Sequence, residues 1–509
     1  MLADWLVAAL ALAAPGETPL ANPSFEAEWP AGAAGPPGWT TVVGVAEAPE
    51  GPESLVALDL DRRSLRLSGD ASTRRWRVVY QDVPAAAWDR VRLDVATRAA
   101  GVVRDADRQF ENAGVALQFL DAAGKTLAGS ASPRLDGDRG WEDVRVEAVA
   151  PVATAKARVV LVLSLTGTLG FDDVRLAIER LPEPTPPERA AALDALETHL
   201  LATYPYADLP GKPAVRDLFA RRRAAALAAP DRDAFVAAVR DLLAELSDVH
   251  VWIEAPSGRI PTAPAAEARG IANWNEAIIR RSLDPIVIVA RGFLVGRIRG
   301  GGPGYVRITT LSLSPSEERD LEISIDRLAE APSLVIDVRS NPGGSEPLAR
   351  RIAERFVGEE RVYAKHRFRD PARPLDPAAF GPEGERSIGP RARAARDGRP
   401  IALLQGPRCL SSAEGFVLML RGLPGVTTVG LPTGGASGNP APFELLPGVR
   451  VMTSRWRDLL PGGTPFEGKG IEPSVRVDEP AEAYRTADPT LAKGIEVVSA
   501  ALRERSGSR

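Results

Sequence analysis

Four prolines fall within Leu181-Pro-Glu-Pro-Thr-Pro-Pro-Glu188, and they divide the chain. Proline fixes φ and donates no backbone hydrogen bond, so this stretch reads as a stiff linker (181–188) between separately packed domains. The patterning changes across it. Over 18–180, short apolar runs (Ser64–Leu67, Val91–Val95, Val115–Phe119, Val159–Leu163) alternate with turn-rich segments, and Val144–Val149 alternates apolar with polar residues. Such regularly spaced strands predict an all-β sandwich. From Arg189 the period becomes helical, with one stripe through Ala191, Leu193, Leu196 and Leu200 and another through Phe235, Val239, Leu242, Leu243 and Leu246. A helical bundle is expected over 189–253. Buried strands and helices then alternate over 254–480, the signature of an α/β core. An amphipathic helix, Leu491–Leu502, follows within a 481–509 tail. A chain of 509 residues is long enough for these several cores.

Composition removes some functions. The net charge of −4 argues against nucleic acid as a partner. The single cysteine, Cys409, excludes internal disulfides and multi-cysteine metal sites, and is read as structural. With only His199, His250 and His366 available, neither a metal nor a cofactor is expected. Residues 1–17 contain an apolar run of signal-peptide length, which favours export to the periplasm or beyond. Asp4 and the missing basic n-region leave a cytoplasmic location open. No other run approaches the ~18 apolar residues of a membrane span, so no transmembrane segment is expected in the mature chain.

The chemistry concentrates at Ile401–Leu420, where an apolar run, a turn (Gln405-Gly406-Pro407-Arg408), two serines and a helical pattern succeed one another. Strand, turn, serine and helix together present a hydroxyl beside a helix N-terminus. Ser411 with Glu414 three residues on is also a capping box, which fits a helix start without chemistry. A serine hydroxyl is a poor nucleophile near neutral pH and needs an imidazole base, an acid to orient that base, and donors for the developing oxyanion.

Several motifs carry a resemblance. Asp337-x-Arg339-x-Asn341-Pro342-Gly343-Gly344 resembles the Asp-x-Arg-x-Asn-x-Gly-Gly signature of the C-terminal processing (tail-specific) protease clan, and Ser411-Ser412-Ala413-Glu414 its nucleophile motif. Gly468-Lys469-Gly470-Ile471-Glu472-Pro473 resembles its Gly-Ile-x-Pro-Asp segment, with Ser474 in place of the aspartate. The likeness runs from about residue 190 to 505 and implies a ClpP/crotonase-like core. It also implies a lysine base, but Ala436 stands at that position. The branch containing tricorn-type proteases and the interphotoreceptor retinoid-binding protein modules instead uses histidine and glutamate. Asp248-Val249-His250 and Glu467 match those places, with Val249 for the usual glycine.

The resemblance therefore implies a serine peptidase cleaving peptides or proteins through an acyl-enzyme. Ser411 would be nucleophile, His250 general base and Glu467 the residue orienting His250, with Ser412, Gly343 and Gly344 as oxyanion donors. Read singly, His250 also fits a buried core histidine, Glu467 a solvated partner of Lys469, and Asn341–Gly344 an ordinary turn. His366, His199, Lys469 and a Ser412 nucleophile are rivals at the site. The segment between His250 and Gly304 is too short for the PDZ domain many relatives carry. A non-catalytic ligand-binding protein on the same fold and an esterase acting on acylated glycans remain as alternatives. The 18–180 module resembles galactose-binding-like and carbohydrate-binding jelly rolls at Asn22–Glu26, Gly38-Trp39 and Gly170–Val174, which implies a glycan or surface partner. Trp39, Trp76 and Trp141 are either core or a sugar-stacking platform, and no sugar site is assigned to them.

Overall fold

The computed structural model describes residues 20–28, 35–45, 56–59, 63–69, 75–103, 112–264, 270–290, 293–328, 331–390 and 398–507. The signal-like segment 1–17 lies outside them. Two compact units make up the chain. One is Met1–Glu183 with the short stretches Glu254–Arg259 and Leu446–Val449; the other comprises Pro184–Ile253, Ile260–Leu445 and Arg450–Arg509.

The first unit contains strands β1 (Thr40–Val45), β2 (Val56–Asp59), β3 (Ser64–Gly69), β4 (Arg75–Pro84), β5 (Asp89–Val103), β6 (Ala113–Leu120), β7 (Thr126–Ala131), β8 (Gly137–Val149), β9 (Lys156–Leu163) and β10 (Thr166–Arg180). They form two five-stranded sheets, β1-β4-β9-β6-β7 and β2-β3-β10-β5-β8. Alternate residues of both sheets, such as Val159 and Leu161 from one and Leu93 and Phe171 from the other, share a single core. Trp39 belongs to that core, packing on Phe25 with ring centroids 5.4 Å apart. The two ends of the unit meet where the Val174 N–H donates to the Pro23 carbonyl at 3.0 Å.

The second unit opens with α1 (Pro186–Thr203), α2 (Val215–Leu227) and α3 (Arg232–Ala244). Helix α1 starts inside the proline-rich stretch, earlier than the sequence suggests. Thr185 and Glu188 form a capping box there, and prolines at the first helical positions lose no hydrogen bond. Its buried stripe is Arg189, Leu193, Leu196 and Leu200, whereas Ala191 is exposed. Arg189 is buried because its guanidinium donates to the Pro184 carbonyl at 2.8 Å.

Next come β11 (Trp252–Ala255), β12 (Gly258–Pro261), α4 (Glu276–Ser282), β13 (Leu283–Ala290), β14 (Phe293–Ile298), β15 (Gly304–Ile308), α5 (Pro315–Leu328), β16 (Leu334–Asp337), α6 (Glu346–Ala353), β17 (Arg361–Phe368), β18 (Gly384–Ile388), β19 (Ile401–Gln405), α7 (Ser412–Leu420), β20 (Val426–Gly430), β21 (Ala441–Leu446), β22 (Val449–Thr453), β23 (Trp456–Leu459), β24 (Val475–Arg476), α8 (Ala483–Thr486) and α9 (Pro489–Gly507). The main sheet runs β13-β14-β15-β16-β19-β20-β24 and is parallel from β15 onward. Both faces are covered, as a parallel sheet requires. Leu334, Ile336, Ile401 and Leu403 pack with α6 and α7, while Val335, Ala402 and Leu404 pack with α9. Smaller sheets, β12-β11-β22-β21 and β18-β17-β23, complete the unit.

Candidate active site

The neighbouring parallel strands β16 and β19 end together, with Asp337 opposite Leu404. Each then delivers a loop and a helix: Val338–Ser345 into α6, and Gly406–Ser411 into α7. Loops leaving the carboxyl ends of adjacent parallel strands are where α/β sheets build sites. The two loops are tied by the Leu410 N–H, which donates to the Asn341 carbonyl at 3.0 Å.

Ser411 is the N-cap of α7 and has φ 55° and ψ −128°. A non-glycine residue held there carries strain of roughly 1–3 kcal/mol, which persists only where surrounding contacts over-determine it. Those contacts are present. The Ser411 N–H donates to the Ala436 carbonyl at 2.7 Å and to Glu414 Oε2 at 3.2 Å.

Gly343 explains the glycine pair. Its φ is +102°, and an added Cβ would lie 2.7 Å from Ser411 Cβ and 3.1 Å from Ser412 N. A side chain there would close the space in front of Ser411. The Gly343 N–H, however, donates to Asn341 Oδ1 at 2.8 Å, so it is occupied within its own turn. Among the described residues the Ser412 and Gly344 N–H groups have no hydrogen-bond acceptor. The Ser412 hydroxyl donates to the Gly344 carbonyl at 2.7 Å, which ties that side chain down.

One short loop, Thr433–Gly438, joins the remaining site residues. The buried Glu414 carboxylate accepts from Thr433 Oγ1 at 2.5 Å, Gly435 N–H at 2.8 Å and Ala436 N–H at 2.9 Å. Glu467 Oε2 accepts from the Ser437 N–H at 3.0 Å and its hydroxyl at 3.1 Å. The Gly438 N–H donates to His250 Nδ1 at 3.3 Å. Consecutive residues of one loop, Ala436, Ser437 and Gly438, therefore touch the Ser411 backbone, Glu467 and His250. Gly438 packs too closely for a side chain, since an added Cβ would collide with Ser454 Oγ and lie 3.2 Å from His250 Cβ. Asp248 Oδ1 accepts from the His250 backbone N–H at 2.8 Å, and Asp248 Oδ2 accepts from Ser454 Oγ at 2.8 Å.

The carboxylates here have little to offset their burial. Burial pushes Glu414 up to about 7, against the opposing pull of its four hydrogen bonds. Burial, together with the nearby Asp248 and Glu414 charges, pushes Glu467 up to about 8. No arginine or lysine pairs with Glu414, Glu467 or Asp248 among the described residues.

The other candidates lie elsewhere. His199 Nε2 meets Thr453 Oγ1 at 2.9 Å and its ring stacks on Phe443. His366 packs against Trp456 and Phe368. Lys469 is exposed, and Cys409 is fully buried. Asp337 and Arg339 are paired with each other, and Arg339 with Asp488, as buried scaffold. Sequence reasoning assigned Glu414 only to its helix cap and missed Asp248, Ser437 and Thr433 as partners. The Asp248-x-His250 spacing, which suits an aspartate capping the backbone two residues on, was a usable signal for one of them.

Comparison with known proteins agrees with this core. Residues 302–477 match the Peptidase family S41 model. The carboxy-terminal processing protease CtpB of Bacillus subtilis is 23% identical over 197 residues, a match covering 39% of this chain and 38% of the relative's length. A crystal structure of a candidate peptidase from Parabacteroides merdae is 24% identical, with a TM-score of 0.50 over 62% of this chain and 96% of that one. That likeness is one of fold. Mature CPAF complexed with lactacystin is 13% identical, with a TM-score of 0.48 over 63% of this chain and 99% of that one. The matched stretch, which includes the sheet that carries the strained serine, is thus similar to peptidase family S41.

Proposed function

We propose that the chain is a serine peptidase that cleaves peptide or protein substrates through an acyl-enzyme, with Ser411, His250 and Glu467 as its relay. The Thr433–Gly438 loop carries this reading, because it holds all three groups where a Ser/Lys enzyme would place its lysine. Ala436 has no proton to exchange. Its carbonyl instead fixes the Ser411 backbone.

Attack requires the Ser411 hydroxyl proton to pass to His250 Nε2 as Oγ bonds to the scissile carbonyl carbon. The oxyanion then forms against the Ser412 and Gly344 N–H groups, at the N-terminus of α7. His250 returns the proton to the leaving amine, the acyl-enzyme forms, and water releases it by the same route in reverse. A backbone N–H can donate only to a lone pair, so the Gly438 bond puts the imidazole proton on Nε2 in the resting arrangement. Catalysis needs that proton on Nδ1, facing an acid. Glu467, held by the preceding residue of the same loop, is the acid we assign.

The first unit we read as a jelly roll that positions the enzyme, and the chain as an exported protein. Among the described residues, no helix is long and apolar enough to cross a membrane. The peptidase reading is tested by fluorophosphonate labelling with the modified residue mapped by mass spectrometry. Labelling should fall on Ser411 and be lost in Ser411→Ala and His250→Ala. Folded protein that shows no serine-dependent labelling rejects the proposal.

A further inference from the structure

The outward face of the β2-β3-β10-β5-β8 sheet contains a depression of about 260 Å³, lined by Asp59, Arg66, Ser68, Arg98, Trp141 and Thr168 around Gly170. Register builds it. On three adjacent strands Arg66, Gly170 and Arg98 form one cross-strand row, and Ser68, Thr168 and Ala100 the next. Residues 169 and 171 point into the core, so this row faces outward. Arg66 and Arg98 flank the glycine from either side, with backbones about 10 Å apart across two strand spacings. Gly170 leaves the middle of the row empty. The Trp141 ring lies over that gap, with Cη2 3.1 Å and Cζ2 3.5 Å from where a Cβ would be.

Charge pairing marks the two arginines out. Other arginines of this sheet are matched to acids: Arg90 with Glu147 and Glu179, Arg92 and Arg145 with Asp94, Arg175 with Asp143. Arg66 and Arg98 have no ion-pair or hydrogen-bond partner among the described residues. Two exposed guanidinium forks on either side of a cleft suit a carboxylate, which each can engage through two N–H donors. The indole face suits the C–H face of a ring. Ser68, Thr168 and Asp59 supply hydroxyl and carboxylate partners for ring hydroxyls.

We propose that this depression binds an acidic saccharide, a uronate ring stacked against Trp141 with its carboxylate held between Arg66 and Arg98. The site is separate from the peptidase chemistry and does not depend on it. The test is calorimetric titration of the full chain with trigalacturonate, using trigalactose and a sulfated galactose trimer as comparators. The parent should bind trigalacturonate, more weakly as salt is raised, and bind trigalactose at least tenfold more weakly. Arg98→Ala should lose at least tenfold in affinity, and the Arg66→Ala/Arg98→Ala and Trp141→Ala proteins should lose binding with thermal midpoints unchanged. Ser411→Ala should bind as the parent does. No uronate binding by folded parent, equal binding of the neutral trimer, binding of the sulfated trimer alone, or full affinity in the double arginine variant would each overturn the assignment.

Discussion

Two clusters of ionisable groups in the second unit are built oppositely. In the first, the guanidinium of Arg339, fully buried, donates to Asp337 Oδ1 at 2.9 Å, Asp337 Oδ2 at 2.6 Å, Asp488 Oδ1 at 2.7 Å and the Asn273 carbonyl at 2.6 Å. Tyr305 adds a hydrogen bond to Asp337 at 2.7 Å. Burial alone would raise Asp337, yet the Arg339 charge holds its carboxyl below the usual range. The same carboxylates, overriding burial, hold Arg339 well above its ordinary value. In the second cluster, the buried Glu414 and Asp248 and the half-buried Glu467 have no arginine or lysine partner among the described residues, and Glu414 and Glu467 are raised. The contrast separates the scaffold from the groups proposed for the chemistry. A matched cluster has one stable charge state and fixes the β16 turn, whereas an unmatched one can change its protonation near neutral pH.

Breaking the matched cluster should have the largest effect on folding. Arg339→Met leaves two buried carboxylates uncompensated and should cost about 3–5 kcal/mol in denaturant unfolding, with activity lost through the fold. Breaking the unmatched cluster should do the reverse. Glu467→Gln should lower kcat/KM by about 10⁴-fold while leaving the fold intact.

Its stability should also respond to pH with a defined sign. Glu467 titrates near 8 when folded against an ordinary 4.5, so the folded state retains a proton that the unfolded state releases between those values. Its contribution is therefore most favourable below the ordinary value and is lost as pH rises toward 8. Thermal melts should show Glu467→Gln gaining on the parent from about pH 5 to about pH 9.

A subtler break sharpens the comparison. Glu414 receives four donors, and in the proposed mechanism it positions Ser411 and the Thr433–Gly438 loop. Glu414→Gln presents an amide to backbone donors, and the displaced loop should cost about 10²-fold in kcat with KM nearly unchanged. The accompanying loss of stability should be smaller than for Arg339→Met. Thr433→Val, which removes the hydroxyl that donates to Glu414 and accepts from the Ile471 N–H at 2.7 Å, should cost about 1–3 kcal/mol in denaturant unfolding, less than Arg339→Met.

Much of this architecture can be read along the chain where the signal is local. The strained serine and its helix follow from a strand, a turn and a capping pattern, and the glycine pair from the close approach it permits. Partnerships between distant segments are not local. Arg339 reads as part of a motif, but its second acid, Asp488, lies at the start of α9, beyond any spacing rule. Glu414 reads as a helix cap because its loop partners enter only after β20. The donation of the Gly343 N–H to Asn341 is likewise invisible in a run of turn residues. Arg189 shows a further gap: periodicity placed Ala191 on the buried stripe, whereas Ala191 is exposed and Arg189, which donates one guanidinium N–H to the Pro184 carbonyl, is buried.

The most direct test of the unmatched cluster as catalytic machinery is the rate of fluorophosphonate labelling of Ser411 as a function of pH. The account predicts a rise to a plateau with a midpoint near 8, where Glu467 ionises, and loss of the rapid phase in both His250→Ala and Glu467→Gln. Labelling that stays flat across that range, or survives undiminished without the His250 imidazole, would contradict it.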